Sequence, residues 1–324
     1  MTRRKVYVTR RIPGPCVSIL SRECEVTLHK KAAPPSRREM LKNIAGKDGL
    51  LCMLSDKIDA ELLDAAGPNL KVVSSYSTGY EHIDVKAATK RGIRVTFTAD
   101  ILAEATADLA FALLLACARN VVKGDVFVRK GRWKVGWMPD LMLGSDVHGA
   151  TLGIIGLGRI GSAVARRAKG FGMKVIYNNR DRNIEAENES GASFAELDDL
   201  FRQSDFVSVH ASLNGSSRHM INMEKLRLMK KTAFLINTSR GPVISEADLA
   251  RALKQEIIAG AGLDVFEKEP LPRSSPLARM KNVVLLPHIG SASVETRSKM
   301  GEVAAESLIA VLNGREPDPK FVVN

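Results

Sequence analysis

At 324 residues the chain is long enough for two domains, with cores that remove about three quarters of the unfolded surface from water. Hydrophobic residues make up 45% and charged residues 26%, with 25 Gly and 13 Pro, which excludes a mostly disordered, collagen-like or low-complexity chain. The net charge is +12, and residues 1–50 hold 12 Lys and Arg against 4 Asp and Glu, a local +8; the charges are scattered and aromatics are only 5%, so attraction of small anions is favoured over nucleic acid.

Lys5–Thr9 reads as a first strand, and the residues before Pro13 and Pro15 hold no apolar stretch of the kind a targeting segment needs. Gly49–Leu54, Lys71–Ser75 and Arg94–Thr96 read as further strands, with helical patterns near Arg37–Ile44, Asp59–Ala66 and Val85–Arg91. A long helical pattern, Ala103–Lys130, follows, then an irregular stretch Gly131–Gly149. The longest apolar run, Leu109–Ala118, has ten residues and is too short to span a bilayer, so no membrane partner is expected.

The second half alternates strands and helices, the grammar of a parallel sheet wrapped by helices. Thr151–Ile155, a helix Arg159–Phe171 closed by Gly172, and Lys174–Tyr177 make one strand-helix-strand unit. Beyond it come a helix near Phe194–Arg202, a strand Phe206–His210, a helix near Met223–Lys230, a strand Ala233–Asn237, a helix Ser245–Lys254, a strand Gly262–Phe266 and an apolar run Val283–Leu286. The closing helix is Val294–Leu312, and two α/β units joined by a long helix are the coarse expectation. Cys16, Cys24, Cys52 and Cys117 lack C-x-x-C spacing and nearby His, so reduced, buried thiols in a cytoplasmic protein are expected, with no disulfide and no metal.

Gly156-Leu157-Gly158-Arg159-Ile160-Gly161 follows a strand directly and opens a helix, the context in which G-x-G-x-x-G binds a dinucleotide. The first glycine makes the turn, the second admits the pyrophosphate, the third lets helix and strand close up, and the helix N-terminus favours the anion. Some twenty residues on, where an acidic residue would bond the ribose of NAD(H), the chain has Asn179 and Arg180. A donor and a positive charge there suit a 2′-phosphate, so NADP(H) is expected to be preferred, with NAD(H) possible and Asp181 the alternative ribose ligand.

Ligands of open parallel sheets bind beyond the carboxyl ends of the strands. Three such ends carry chemistry: Asn237-Thr238-Ser239-Arg240-Gly241, Asp264-Val-Phe-Glu-Lys-Glu269-Pro270, and Pro287-His288-Ile-Gly290. Each of Arg240, Glu269 and His288 also has an ordinary reading, as a turn residue, a solvated charge and a half-buried ring.

Taken together, Leu152–Gly161, Asn237–Gly241, Gly262–Phe266 with Glu269-Pro270, and Pro287–Ser291 resemble the D-isomer-specific 2-hydroxyacid dehydrogenases, and within them the glyoxylate/hydroxypyruvate reductase branch. Ser77–Asp84, Glu104–Asp108 and Trp133–Gly144 extend the resemblance over nearly the whole chain. It implies two Rossmann-like or flavodoxin-like, doubly wound parallel-sheet domains: a substrate domain of residues 1–98 and 287–324, and an inserted dinucleotide-binding domain of residues 99–286. It also implies that Arg240 binds the carboxylate and carbonyl oxygen of a small 2-oxoacid, and that Glu269 hydrogen-bonds His288, the proton donor. The amides of Ser77, Thr78 and Gly79 would hold the carboxylate, while Leu54 and Trp137 would shape the pocket. Thr106, His210, Ala211, Ser212, Thr238, Ser239, Asp264 and Gly290 would line the cofactor groove, and residues 101–144 would form a homodimer arm.

The expected reaction is NADPH-preferring reduction of glyoxylate or hydroxypyruvate to glycolate or D-glycerate. Oxidation of phosphite, D-lactate or D-3-phosphoglycerate, and a nicotinamide-sensing, corepressor-like binding protein, are the alternatives.

Overall fold

The structure is a computed structural model describing residues 3–324. It divides into two compact units: the chain up to Leu102 with Ser291–Asn324, and Ala103–Gly290. The crossings fall at 102/103 and 290/291 rather than at 98/99 and 286/287. Ala99 shares an apolar cluster with Val303 and Phe321, which keeps Ala99–Leu102 with the first unit. The carboxylate of Asp264 holds the N–H groups of Ile289 and Gly290, which keeps that turn with the second.

The first unit is a five-stranded parallel sheet in the order β2-β1-β3-β4-β5, the flavodoxin-like arrangement. Its strands are β1 (Arg4–Val8), β2 (Cys24–Leu28), β3 (Gly49–Cys52), β4 (Val72–Ser75) and β5 (Arg94–Thr96). They alternate with α1 (Cys16–Glu23), α2 (Arg37–Ile44), α3 (Ala60–Ala66) and α4 (Val85–Lys90). β3 and β4 are buried throughout, which is why they read as continuous apolar runs. Helix α1 and strand β2 have no counterpart in the sequence reading: α1 buries only Cys16 and Leu20, and β2 is a half-covered edge strand, so neither gives a strong periodicity. The closing helix α12 (Val294–Leu312) packs on this sheet, its Ala304 carbonyl accepting the Ser74 hydroxyl at 3.0 Å. The C-terminal residues cover the opposite edge, where Val323 donates to Val95 and Phe97 to Phe321, both at 2.9 Å, so that β5 presents no open edge there.

The second unit begins with α5 (Ala103–Ala118) and α6 (Val121–Arg129) in place of one long helix. Asn120 sits at φ 53°, and the Ala118 carbonyl accepts the N–H of Ser145 at 2.9 Å instead of continuing the helix. Gly144 lies so close that a Cβ there would stand 2.2 Å from the Ala118 oxygen, so the returning segment itself breaks the helix. Residues Ala99–Ala118 are, by length and a mean hydropathy of 1.9 alone, apolar enough to cross a membrane. Half of that stretch is buried, and Ala107, Phe111, Leu113 and Leu114 belong to the core under the sheet, so it is accounted for as a packed core helix.

The sheet of this unit is seven-stranded and parallel, in the order β12-β11-β10-β9-β6-β7-β8. Its elements are β6 (Thr151–Ile155), α7 (Arg159–Gly170), β7 (Lys174–Asn178), α8 (Ile184–Ser190), β8 (Ser193–Phe194), α9 (Leu197–Gln203), β9 (Phe206–Val209) and α10 (Met223–Leu226). They continue with β10 (Phe234–Asn237), α11 (Glu246–Lys254), β11 (Gly260–Leu263) and β12 (Val283–Leu285). From β8 to β11 this is the dinucleotide-fold order, and the sequence reverses direction between β6 and β9. Ser245 caps α11 as its spacing to Asp248 foretells. Strand β11 runs from Gly260 to Leu263 rather than over the expected Gly262–Phe266, and its glycines lie under tight packing: a Cβ on Gly262 would be 3.1 Å from the Cys117 sulfur, and one on Gly260 2.6 Å from the Asn282 oxygen. Helix α8 and the two-residue strand β8 were not foreseen, the helix being acidic and mostly exposed. All four cysteines are buried and unpaired.

Candidate active site

The glycine loop lies at the reversal point of the second sheet. Gly156 has φ 98°, and a Cβ on it would stand 2.8 Å from the His210 carbonyl carbon and 2.9 Å from the Ala211 nitrogen, so the loops after β6 and β9 touch. A Cβ on Gly161 would be 2.1 Å from the Gly156 oxygen, the close helix-to-strand approach expected of the third glycine. At Gly158, by contrast, a Cβ meets nothing within 4 Å. Gly158 is the N-cap of α7 without a side-chain cap, and the first turn, from Arg159, holds no acid. The residues present therefore fit a dinucleotide: open space over Gly158, an uncapped helix N-terminus and no competing carboxylate.

Leu157 lies within the same loop. Its side chain is fully buried in the core, its N–H donates to Asn179 Oδ1 at 2.7 Å, and its carbonyl accepts Asn183 Nδ2 at 3.0 Å. Ile160 packs on the same core. Asn179 therefore has its oxygen turned to the glycine loop and its Nδ2 as the remaining donor. Asn183, which completes the clamp, was missed by sequence reasoning, where only its place a few residues beyond β7 could have drawn attention. Arg180 is 94% exposed and paired with Asp181 at 2.9 Å, a solvated pair of small energy. Arg182 is committed to Glu187 and to the face of Phe194.

At the carboxyl end of β9, His210 Nε2 shares a hydrogen with Ser208 Oγ at 2.8 Å. Burial pushes its imidazole down to about 4, so it is neutral near pH 7. Its Nδ1, like Thr238 Oγ1, is buried and has no partner among the described residues, as groups awaiting a polar ligand would be. Ser212 is fixed through its carbonyl, which accepts the Ser217 hydroxyl.

Glu269, His288 and Arg240 stand after three neighbouring strands of this unit, β11, β12 and β10. His288 Nδ1 is 2.7 Å from Glu269 Oε2, and Glu269 Oε1 accepts the Phe266 N–H at 3.0 Å. Partial burial alone would raise the Glu269 carboxyl; the His288 bond and charge, the Phe266 N–H and the Arg240 charge outweigh it and hold the group below the usual carboxylate range. His288 has φ 55°, a left-handed conformation unusual for a non-glycine residue and characteristic of functional turns. It is held there by Asp264, whose carbonyl accepts the His288 N–H at 2.9 Å and whose carboxylate accepts Ile289 and Gly290, each at 2.8 Å. Burial pushes the Asp264 carboxyl up, against the two amides. The Gly290 amide is thus engaged within the chain, beside Thr106, which a Cβ on Gly290 would approach to 3.4 Å.

Arg240 follows a turn in which Asn237 Oδ1 accepts the Ser239 N–H and hydroxyl, and its guanidinium donates to the Ser239 carbonyl at 2.9 Å. Gly241 lies against the loop bearing Glu269: a Cβ there would be 1.9 Å from the Phe266 carbonyl carbon. Glu246 and Glu267 each accept the other's N–H, at 3.1 and 2.8 Å, and join that loop to the start of α11.

In the other unit, Ser77, Thr78 and Gly79 follow β4. The Gly79 N–H donates to Ser77 Oγ at 3.0 Å, and Ser77 Oγ donates to the Gly79 carbonyl at 2.7 Å, which closes the turn on itself. Leu54 lies half-buried in the turn after β3. Trp137 is 85% exposed on the segment after α6.

Residues 111–290 match the family model for the NAD-binding domain of D-isomer-specific 2-hydroxyacid dehydrogenases. The chain is 53% identical over 313 residues to a glyoxylate reductase of Korarchaeum cryptofilum, covering 97% of this chain and 94% of that protein. Among solved structures, a protein from Thermus thermophilus superposes with a TM-score of 0.93 at 46% identity, over 99% of this chain and 100% of that one. The NADPH-dependent glyoxylate/hydroxypyruvate reductase of Sinorhizobium meliloti, solved with NADP and malonate, gives 0.85 at 32% identity over 100% and 99%. The chain belongs to the D-isomer-specific 2-hydroxyacid dehydrogenase family of nicotinamide-dependent oxidoreductases.

Proposed function

We propose that the protein is an NADPH-preferring reductase of small 2-oxoacids, converting glyoxylate or hydroxypyruvate to glycolate or D-glycerate. The observation that carries this reading is the 2.7 Å contact between His288 Nδ1 and the ionised Glu269, on strand ends neighbouring that of Arg240. Reduced nicotinamide, when bound, supplies the hydride that adds to the carbonyl carbon. Glu269 accepts the Nδ1–H and so turns Nε2 of the imidazole to the substrate. His288 then gives its Nε2 proton to the carbonyl oxygen as the alkoxide develops, and is left neutral on Glu269. Arg240 pairs its planar guanidinium with the carboxylate through two parallel hydrogen bonds. Leu54 and the Ser77–Gly79 turn keep, as proposals, the substrate contacts the family resemblance gives them.

The preference for NADPH rests on Asn179, which has Nδ2 as a donor while its Oδ1 holds the Leu157 N–H, and on Arg180, with the exposed Asp181 as the alternative ribose ligand. The curated relatives named glyoxylate reductase and the NADPH-dependent Sinorhizobium enzyme support the same reading. A homodimer formed through residues 101–144 is supported by Val122, Val126, Val128, Trp133, Trp137 and Leu143, all exposed large apolar side chains on one segment. The buried, unpaired thiols support a cytoplasmic setting.

The test is the loss of reduced-nicotinamide absorbance with glyoxylate, run in parallel with NADPH and NADH and repeated with hydroxypyruvate. Turnover favouring NADPH supports both halves of the proposal. Turnover favouring NADH removes the Asn179 and Arg180 assignment, and silence with both acids and both cofactors removes the reaction.

A further inference from the structure

Asn237 is wholly buried at the end of β10, and its side chain uses both of its functional ends. Oδ1 accepts the Ser239 N–H at 3.0 Å and the Ser239 hydroxyl at 2.8 Å, while Nδ2 donates to the Arg240 carbonyl at 3.1 Å. Its main-chain carbonyl accepts the Asp264 N–H at 2.9 Å, and the Asp264 carbonyl in turn accepts the His288 N–H at 2.9 Å. One buried asparagine therefore ties the backbone of Arg240 on one side, and through a single further residue the left-handed turn of His288 on the other. The bond to the Arg240 carbonyl, which also accepts the Val243 N–H at 3.3 Å, fixes the peptide that follows the Arg240 Cα, and a planar amide offers its acceptor and its donor on separate atoms, as the two directions require.

We infer that Asn237 is the positioning residue for Arg240, setting the place of its guanidinium relative to the His288 imidazole. The inference rests on the reading of Arg240 as the group that binds the substrate carboxylate. Asn237→Asp keeps both bonds to Ser239 but loses the donor and turns a second acceptor toward the Arg240 carbonyl. Its effect passes to substrate through Arg240, so it belongs in KM for the 2-oxoacid and in kcat, with KM for the cofactor unmoved.

The experiment is a double-mutant cycle of Asn237→Asp with Arg240→Ala on the full chain, reading steady-state glyoxylate reduction, and calorimetric binding of oxamate to the NADPH-loaded protein. In the wild-type background Asn237→Asp is expected to weaken oxamate binding and kcat/KM at least about tenfold, with cofactor KM within about twofold; on Arg240→Ala the same change is expected to cost less than about twofold. Equal losses in both backgrounds, or a loss confined to melting temperature or cofactor KM, would overturn the positioning role. Full activity of Arg240→Ala would overturn the Arg240 reading itself, a separate result from failure of the cycle. If Asn237→Asp does not fold, Asn237→Ser, which also loosens the Ser239 turn, carries the cycle on its coupling to Arg240→Ala alone: a loss in oxamate binding that shrinks on Arg240→Ala supports the positioning role, and equal losses in both backgrounds overturn it.

Discussion

The two ends of the cofactor-binding unit are built on opposite principles. At the strand ends carrying Arg240, Glu269 and His288 the turns are held by neighbours: Glu269 by His288 and Phe266, the His288 turn by Asp264, and the Arg240 turn by Asn237. At the other end, after β7, Arg180 and Asp181 are 94% and 80% exposed and joined only to each other. Under the proposed function the difference separates geometry fixed in advance from charge merely made available: proton transfer would need atoms placed to a fraction of an ångström, whereas phosphate selection would need only a local field.

The comparison is broken most forcefully at His288. Replacing it with alanine should lower kcat by about 10²- to 10⁴-fold, the range that a positioned general acid contributes, with cofactor KM nearly unchanged; stopped-flow or steady-state reduction of glyoxylate measures it. Full rate in His288→Ala would remove its role as proton donor.

Gly161→Ala tests the frame rather than the chemistry. Its Cβ would need to stand 2.1 Å from the Gly156 carbonyl, so the loop must shift and cofactor binding should fall at least about tenfold, read by quenching of protein fluorescence on titration with NADPH. A companion loss of about 1–3 kcal/mol from overpacking should appear as a melting shift of a few degrees.

Glu269→Gln sharpens the contrast through pH. Because the folded Glu269 is held below its ordinary value, its contribution to stability is complete above the normal carboxylate range and is lost as the pH falls through the lower, folded value. Melting temperatures from about pH 7 to about pH 3 should therefore fall less steeply for Glu269→Gln than for the parent. Its kcat should fall as well, since a neutral amide no longer stabilises the imidazolium that donates the proton.

The smallest effect is expected at the exposed end. Asn179→Asp with Arg180→Ser should move the ratio of kcat/KM for NADPH over NADH by about tenfold, about 1.4 kcal/mol, toward NADH. An unchanged ratio would place the 2′-phosphate elsewhere. The gain in discrimination should shrink at high salt if Arg180 acts as a solvated charge.

Much of this was legible in one dimension. The strand-helix alternation from Thr151 onward, the glycine loop, the Ser245 cap and the three loaded strand ends all depend on spacing of a few residues, which the chain itself carries. Elements held by few buried residues were not legible: α1 with Cys16 and Leu20, the half-exposed edge β2, and the acidic α8 leave almost no periodic mark. The Leu157 amide illustrates the same limit at the site, since nothing in the local sequence tells that two asparagines from beyond β7 close on it.

The sequence by itself determined the two α/β units and the dinucleotide loop, because each follows from local periodicity or from a short motif with a mechanical reason, and it put Arg240, Glu269 and His288 after three strands, their roles resting on the family resemblance alone. Only the tertiary structure decided that α5 ends at Ala118, that Asp264 and Gly290 serve the His288 turn, and that Asn237 carries the Arg240 turn. The first two outcomes depend on which distant groups meet, and a hydrogen bond between residues far apart in the chain leaves no periodic signature along it; the Asn237 bond spans only three residues, but it depends on the side chain being buried at the strand end.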